Sequence, residues 1–192
     1  MTKFLDVDLS PRIPGPEATP AQADVDRLFE FVDFGLNEGK LHQAFWGRVR
    51  VTVRDDRESP PGLTDLMNTV PFRIVSRRFV ELLKSHQCAC EYLPLEVTYK
   101  RKMPSGEFFA INVLNIADSA VDLERSVFDP RLLELGFLRD VKKLVLKDDA
   151  LAGEPIVYFK QIGRMAVSDE LARDIAATMF GVQLVEPESF TS

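Results

Sequence analysis

The sequence has few of the residues on which most catalytic and extracellular proteins depend. Its 192 residues include two histidines, two cysteines and one tryptophan. Cys88 and Cys90 are too few and too close together to build a disulfide framework, so the chain is predicted to work in a reducing cytoplasm. No apolar run approaches the roughly 20 residues that a membrane span needs, and the N-terminus lacks the apolar core of a signal peptide. We therefore expect no membrane partner.

The chain also has too little positive charge for general binding to nucleic acid. Its formal net charge is −6 at pH 7, whereas nucleic acid attracts basic surfaces. Arg48, Arg50 and Arg54 form a basic stripe, but valines rather than stacking aromatics separate them, which favours a solvated strand face. The acidic balance excludes a general nucleic-acid binder and is compatible with a basic protein partner.

What is present predicts an α+β fold, with a mixed, mainly antiparallel sheet and a few short helices packed on it. Strand patterns outnumber helix patterns, and the two types are mixed along the chain. The length suits one domain with a substantial core. We predict an N-terminal strand, proline-rich loop and helix within residues 1–40, which can belong to the same domain as the main unit at 41–192.

The N-terminal segment carries the signals of a helix that follows a proline-rich loop. Thr19 is a candidate cap, and Pro20 suits the first helical position. Apolar residues then repeat at three- and four-residue spacing, while Phe31 and Phe34 fall off that stripe. These two side chains indicate a helix buried on two sides or an apolar patch for a partner. A scaffold that forms a homo-oligomer through this helix is one alternative function.

The most informative local pattern is a strand, a serine cap, a short helix and a second strand within residues 71–97. Ser76 is the predicted N-cap, and Pro94 in the second strand favours an edge or a bulge. A looser copy begins at the cap Ser168, and it indicates either a duplication or one local solution used twice.

Further strands are predicted at 3–9, 47–54, 107–116, 120–128, 141–147 and 156–159, with one helical turn at 64–67.

No set of residues in the sequence forms a convincing catalytic or metal site. His86, Cys88 and Cys90 alternate, but their spacing matches no common zinc site. We favour a histidine near a helix C-terminus and two small buried thiols. The sequence has no Gly-rich phosphate loop and no nucleophile elbow. We therefore predict neither metal nor cofactor, and a protein that is not an enzyme.

The best group of carboxylates is Asp118, Asp122 and Glu124. On the strand predicted at 120–128, Asp122 and Glu124 share one face. Paired carboxylates catalyse reactions when their surroundings separate their pKa values, and no histidine or Gly-rich loop lies nearby in the sequence. A solvated face is favoured, and protein recognition comes next. A small enzyme or ligand-binding domain that uses these three residues is the alternative function.

Several segments taken together resemble a family of bacterial immunity proteins. The segments are Phe72–Leu83, Glu91–Leu95, Phe108–Asn115, Val121–Ser126 and Met165–Pro187. The family is immunity family eleven of polymorphic toxin systems, first catalogued as a domain of unknown function. The resemblance covers about residues 64–190. It depends on the order of the motifs, because each motif alone is typical of a capped helix or a strand.

The resemblance implies a non-enzymatic protein that binds a cognate toxin inside the producing cell and blocks it. It supplies no catalytic residues. Affinity would come from a few buried anchors ringed by polar groups, and an acidic surface would steer association with a basic toxin. The residues predicted to contact the partner are Phe31, Phe34, Trp46, Asp122 and Glu124.

Overall fold

The computed structural model describes residues 2–7, 17–20, 36–47, 49–54, 63–68, 72–99, 102 and 106–189. The strands are β1 Lys3–Val7, β2 Glu17–Pro20, β3 Val49–Arg54, β4 Leu66–Asn68, β5 Arg73–Ser76, β6 Cys90–Tyr99, β7 Phe108–Val113, β8 Val127–Asp129, β9 Arg139–Lys143, β10 Ile156–Phe159, β11 Arg164–Val167 and β12 Val182–Val185. The helices are α1 Gln43–Trp46, α2 Arg77–Ser85 and α3 Asp169–Thr178, with short 3-10 segments at Asp118–Ala120, Pro130–Leu135 and Pro187–Ser189.

Six strands close into a small barrel in the order β2-β3-β6-β7-β5-β4. Alternation along β3 shows how the interior is filled, because Val49, Val51 and Val53 are buried while Arg50 and Thr52 are exposed. The strand predicted at 47–54 is therefore confirmed. The other buried side chains of this interior cluster are Trp46, Met67, Phe72, Ile74, Leu93, Val97, Phe108 and Ala110.

A four-stranded antiparallel sheet, in the order β10-β11-β1-β12, packs against the barrel. Successive residues of β1 point to opposite faces. Leu5 joins the cluster that includes residues of α2, α3 and the barrel wall, whereas Phe4 joins a second cluster with side chains from residues 117–166. Phe4 and Phe159 meet edge to face there, with ring centroids 5.9 Å apart. The sheet is thus a central layer buried on both faces.

Two segments of the chain share one topology, a split β-α-β unit. In the first, α2 joins β5 to β6, and β7 lies between these strands antiparallel to both. In the second, α3 joins β11 to β12, and β1 occupies the corresponding place. Each helix begins at a serine whose hydroxyl accepts a backbone N–H: Phe79 N lies 3.2 Å from Ser76 Oγ, and Leu171 N lies 3.3 Å from Ser168 Oγ. Both predicted caps are confirmed.

Several predictions of local structure are wrong. Thr19 and Pro20 end strand β2, which pairs with β3, instead of starting a helix. The helix predicted after them lies outside the described residues. Residues 64–67, predicted as a helical turn, lead into β4 and include its first two residues, and the strand predicted at 120–128 is a turn followed by the short strand β8. The strand predicted at 141–147 lies at Arg139–Lys143. Pairing with strands distant in sequence overrides the local signals in these segments.

Pro94 lies in β6, which is an interior strand of the barrel and not the predicted edge. The ladder between β6 and β7 includes Pro94, whereas the ladder between β6 and β3 begins at Leu95. The strand is therefore paired on one side only at the proline, which lacks an N–H to donate. The proline is accommodated by the stagger of the two ladders.

The predicted α+β class is confirmed, with antiparallel and mixed sheets and a few helices. Among the described residues, every helix falls short of the length and apolar content needed to cross a membrane. The predicted boundary between residues 40 and 41 stays a prediction.

Candidate functional site

A buried polar network closes one end of the barrel. Glu91 and Asn112 are paired across β6 and β7 and lie on the barrel-facing sides of their strands, where neighbouring positions are apolar. Asn112 is fully buried and Glu91 is 7 % exposed. Asn112 Nδ2 donates to Glu91 Oε2 at 2.9 Å. Two adjacent polar groups therefore occupy a place where hydrophobic side chains would be expected.

These two side chains hold the segment that runs from residue 36 to residue 47. The Glu91 carboxylate accepts the backbone N–H of His42, at 2.8 and 2.9 Å, and that of Gln43 at 2.5 Å. Asn112 donates to Lys40 O at 2.7 Å, and its Oδ1 accepts Asn37 N at 2.6 Å. Backbone groups of the segment thus find the partners that burial requires.

The same segment reaches into the barrel. Trp46, at the end of α1, is 1 % exposed and packs edge to face on Phe72, with ring centroids 5.7 Å apart. Its Nε1 donates to Pro94 O at 2.9 Å. Asn37 binds back to β7, because its Oδ1 accepts Val113 N at 2.8 Å. Residues 37–46, which we call the barrel lid, are therefore fixed at both ends and in the middle.

The barrel lid presents the apolar side chain of Leu41 to solvent. Leu41 is 69 % exposed, the highest value among the large hydrophobic residues of the described chain. It lies at the mouth of a groove of about 700 Å³. We call this groove the lid groove, and its lining residues are Leu41, Gln43, Arg77, Val80, Lys84, Cys90, Glu91, Tyr92 and Phe109.

The charged groups at the surface of the lid groove are cations. The Arg77 guanidinium lies 4.7 Å from the centroid of the Phe109 ring, and the Lys84 ammonium lies 5.8 Å from that of Tyr92. Glu107 and Glu81 pair with Arg77, and the Lys84 ammonium lies 3.6 Å from Glu81 Oε1. The oxygens of Glu91 are already occupied by the N–H groups of the barrel lid. The groove thus combines apolar rings with hydrogen-bond donors.

A second polar centre, Asp65, joins the two split β-α-β units. Its side chain accepts the hydroxyl of Ser76, the guanidinium of Arg78 and the N–H of Phe180, the last at 2.7 Å. Its own backbone N–H donates to Phe180 O at 2.9 Å. Burial acts against the carboxylate charge, but the hydrogen bonds from Arg78, Ser76 and Phe180 outweigh it and lower the pKa of Asp65.

We expect Asp65→Ala to lower the free energy of unfolding at pH 7 by about 2–3 kcal/mol, because the partly buried Ser76 hydroxyl and Phe180 N–H lose their acceptor together with the guanidinium of Arg78. Folding lowers the pKa of Asp65, so its ionised form adds stability above its unfolded value of about 3.9. That contribution is lost as the pH falls through the lower folded pKa. Urea denaturation of both proteins at pH 7 and at about pH 2.5 should show the difference shrinking at the acidic pH.

Asp129→Ala is the matched control for Asp65→Ala. Hydrogen bonds from Arg131 lower the pKa of Asp129 to about 2, yet the Arg131 side chain is 82 % exposed and its pair is open to water. We expect a smaller loss of stability than for Asp65→Ala, because exposed ion pairs contribute little. Equal losses for the two variants at pH 7 would contradict the role of Asp65.

The predicted contact residues fall in different surroundings. Phe31 and Phe34 lie outside the described residues. Trp46 lies inside the barrel, and Leu41 is an exposed apolar residue of the same segment. Asp122 and Glu124 lie on a turn and not on the predicted strand: Asp122 Oδ1 accepts Arg125 N at 3.0 Å, and Glu124 is exposed. Their contact with a partner stays a prediction.

The carboxylates of the alternative enzyme hypothesis have separate local partners. Asp118 Oδ1 accepts the backbone N–H of Gln161 at 3.2 Å, whereas Asp122 closes the turn to Arg125. The shared strand face that motivated a paired site is absent, because residues 122–126 are not a strand. A turn-closing role accounts for the Asp122 geometry.

His86, Cys88 and Cys90 also have structural surroundings. His86 Nε2 lies 2.8 Å from Asp174 Oδ2 and so links the end of α2 to α3. Burial raises the pKa of Cys88 to about 12 and raises that of Cys90 as well, so both thiols stay protonated and weakly nucleophilic at neutral pH. Across the described ranges, no group of three or more His, Cys, Asp or Glu side chains is arranged to hold a metal ion.

Sequence reasoning missed Glu91, Asn112 and Asp65 as organising residues. Glu91 and Asn112 lie in segments that carry the family resemblance, and each is a polar residue at a barrel-facing position of an otherwise apolar strand. That break in the alternation is the signal that was available. Asp65 gave no such signal, since its partner Phe180 is 115 residues away.

The family model for an immunity protein family, Imm11, matches residues 14–185 of this chain. The chain belongs to the Imm11 family. The match spans the barrel lid, the barrel and the elements β11, α3 and β12, whereas β1 lies before it, so the Imm11 assignment rests on most of the chain and not on one motif. The resemblance predicted from the motifs is confirmed. No curated protein matches the chain.

Proposed function

We propose that this Imm11 protein neutralises a cognate bacterial toxin of a polymorphic toxin system by non-covalent binding in the cytoplasm of the producing cell. The observation that carries the proposal is the family match over residues 14–185. Surface groups, not a reactive centre, perform such a task, since affinity depends on a few apolar anchors within a polar surround. Leu41 on the barrel lid is an anchor of that kind.

The acidic net charge of this protein also favours association with a basic toxin. At −6, the chain attracts a basic protein over distances of about one Debye length, which speeds encounter at low salt. For Asp122 and Glu124 we propose this electrostatic role. Asp122→Asn with Glu124→Gln should slow association with a basic toxin, and the slowing should disappear at high ionic strength.

Co-expression with the neighbouring toxin gene tests the proposed function. Cells that carry the toxin gene under an inducible promoter should stop growing on induction, and cells that also express this protein should grow. An empty vector and a variant truncated within the barrel are the controls. Growth of toxin-expressing cells without this protein, or no rescue by a well-folded protein, would overturn the proposal.

A further inference from the structure

The barrel lid is built more firmly than a connecting loop requires. Its buried polar side chains are Asn37 and His42 within the lid, and the side chains that support it from the barrel are Glu91 and Asn112. Buried polar groups stabilise a protein only when they are fully hydrogen-bonded, so this arrangement demands accurate geometry. A surface loop with polar residues would connect β2 to β3 without such a buried hydrogen-bonded arrangement.

The result of this construction is a fixed position for Leu41. The residues on either side of it are tied down, because Lys40 O accepts Asn112 Nδ2 at 2.7 Å and His42 N donates to Glu91 at 2.8 Å. Leu41 itself is left exposed beside the lid groove. An apolar side chain on a backbone that is already fixed binds a partner with less loss of backbone conformational entropy than one on an unanchored loop.

The groove beside Leu41 defines the chemistry of the partner. Its apolar part is formed by Val80, Tyr92 and Phe109, which suits an apolar side chain. Its charged donors are Arg77 and Lys84, held over the two aromatic rings. The oxygens of Glu91 already accept hydrogen bonds from His42, Gln43 and Asn112. The charged groups that the groove offers to a partner are therefore donors, which pair with acceptors on that partner.

We propose that the lid groove is the main toxin-binding surface, and that it receives an apolar side chain of the toxin flanked by carboxylate or carbonyl oxygens. Leu41 packs against the apolar side chain. Lys84 and Arg77 donate to the oxygens, with Lys84 exchanging from Glu81 and Arg77 from Glu107 on binding. This inference rests on the proposed function, because it takes the toxin as the partner.

Affinity measurements with the purified product of the neighbouring toxin gene test the surface. The variants are Leu41→Ser and Lys84→Ala. Their matched controls are Phe137→Ser and Lys143→Ala, which change an exposed apolar residue and an exposed lysine in the 117–154 region. Thermal melting of each variant comes first, and we expect curves that match the wild type because all four side chains are exposed.

Leu41→Ser should weaken binding about 30-fold or more, as expected for an anchor residue, and Lys84→Ala about threefold. Phe137→Ser and Lys143→Ala should bind like the wild type. Wild-type affinity for Leu41→Ser would overturn the assignment of this surface while leaving the proposed function intact. So would an equal loss for Phe137→Ser. Failure of the wild-type protein to bind the toxin would instead overturn the proposed function.

Discussion

Glu91→Ala is expected to lower the free energy of unfolding by about 4 kcal/mol, because several buried donors lose their acceptor at once. The donors are the backbone N–H groups of His42 and Gln43 and the side-chain amide of Asn112. Alanine offers no acceptor, and at 7 % exposure little water reaches the site to replace the carboxylate. The loss should release the barrel lid before it affects the rest of the barrel.

Urea denaturation measures the loss of stability, and amide hydrogen exchange locates it. Exchange at His42 and Gln43 should accelerate most in Glu91→Ala, since their N–H groups lose their partner. Glu124→Ala is the control, because Glu124 is exposed, and we expect a change within about 0.5 kcal/mol. A loss for Glu91→Ala as small as that for Glu124→Ala would show that the carboxylate does not hold the lid.

Gly181→Ala is expected to cost about 2–5 kcal/mol, from backbone strain of about 1–2 kcal/mol and an overlap of about 1–3 kcal/mol with a buried neighbour. Gly181 has φ +71°, in the left-handed region. A Cβ at this position would lie 2.2 Å from Thr64 Cγ2 and 2.5 Å from Thr64 Cβ. Thr64 is buried next to Asp65, so it has little room to move.

Gly153→Ala separates the two contributions to this loss. Gly153 has a similar backbone conformation, φ +82°, but a Cβ there would meet no atom within 4 Å. We expect it to cost only the strain, about 1–2 kcal/mol. The difference between the two variants in urea denaturation measures the close approach at Thr64. No difference between them would mean that the junction of the two split units is looser than the structure shows.

The parts of the fold that follow from nearby residues could be predicted from the sequence. Ser76 and Ser168 cap their helices because a cap depends on a hydroxyl and an N–H three residues away. The valines of β3 face the barrel because alternation is a property of the strand itself. The family resemblance could be recognised in Phe72–Leu83 and Glu91–Leu95 for the same reason, because each motif consists of residues that are close together in the sequence.

What depends on distant contacts could not be predicted. Thr19 and Pro20 have the residues of a helix start, but pairing with β3 places them in a strand. The closure of the barrel also brings together segments far apart in the chain, which leaves no periodic signal. The barrel lid is the clearest case, since its conformation is set by Glu91 and Asn112, about 50 and 70 residues further along the chain.

The same distinction between nearby and distant contacts applies to the functional residues. Trp46 is among the predicted contact residues, and its side chain is buried inside the barrel, where it anchors the lid; its contact with a partner stays a prediction. Leu41 gave no sequence signal, because an exposed leucine is common and only its fixed surroundings distinguish it. Several residues of the family motifs, among them Arg77, Tyr92 and Phe109, therefore line the surface that we propose for binding, whereas Leu41 lies outside those motifs.

Titration of toxin activity with purified protein tests the central claim most directly. A binding inhibitor should reduce the activity in proportion to the toxin that is occupied, with an end point at a fixed molar ratio. Leu41→Ser should move the curve to higher concentrations without changing its end point. Loss of toxin activity at trace amounts of this protein would indicate catalytic inactivation. Full activity at saturating amounts would contradict neutralisation by binding.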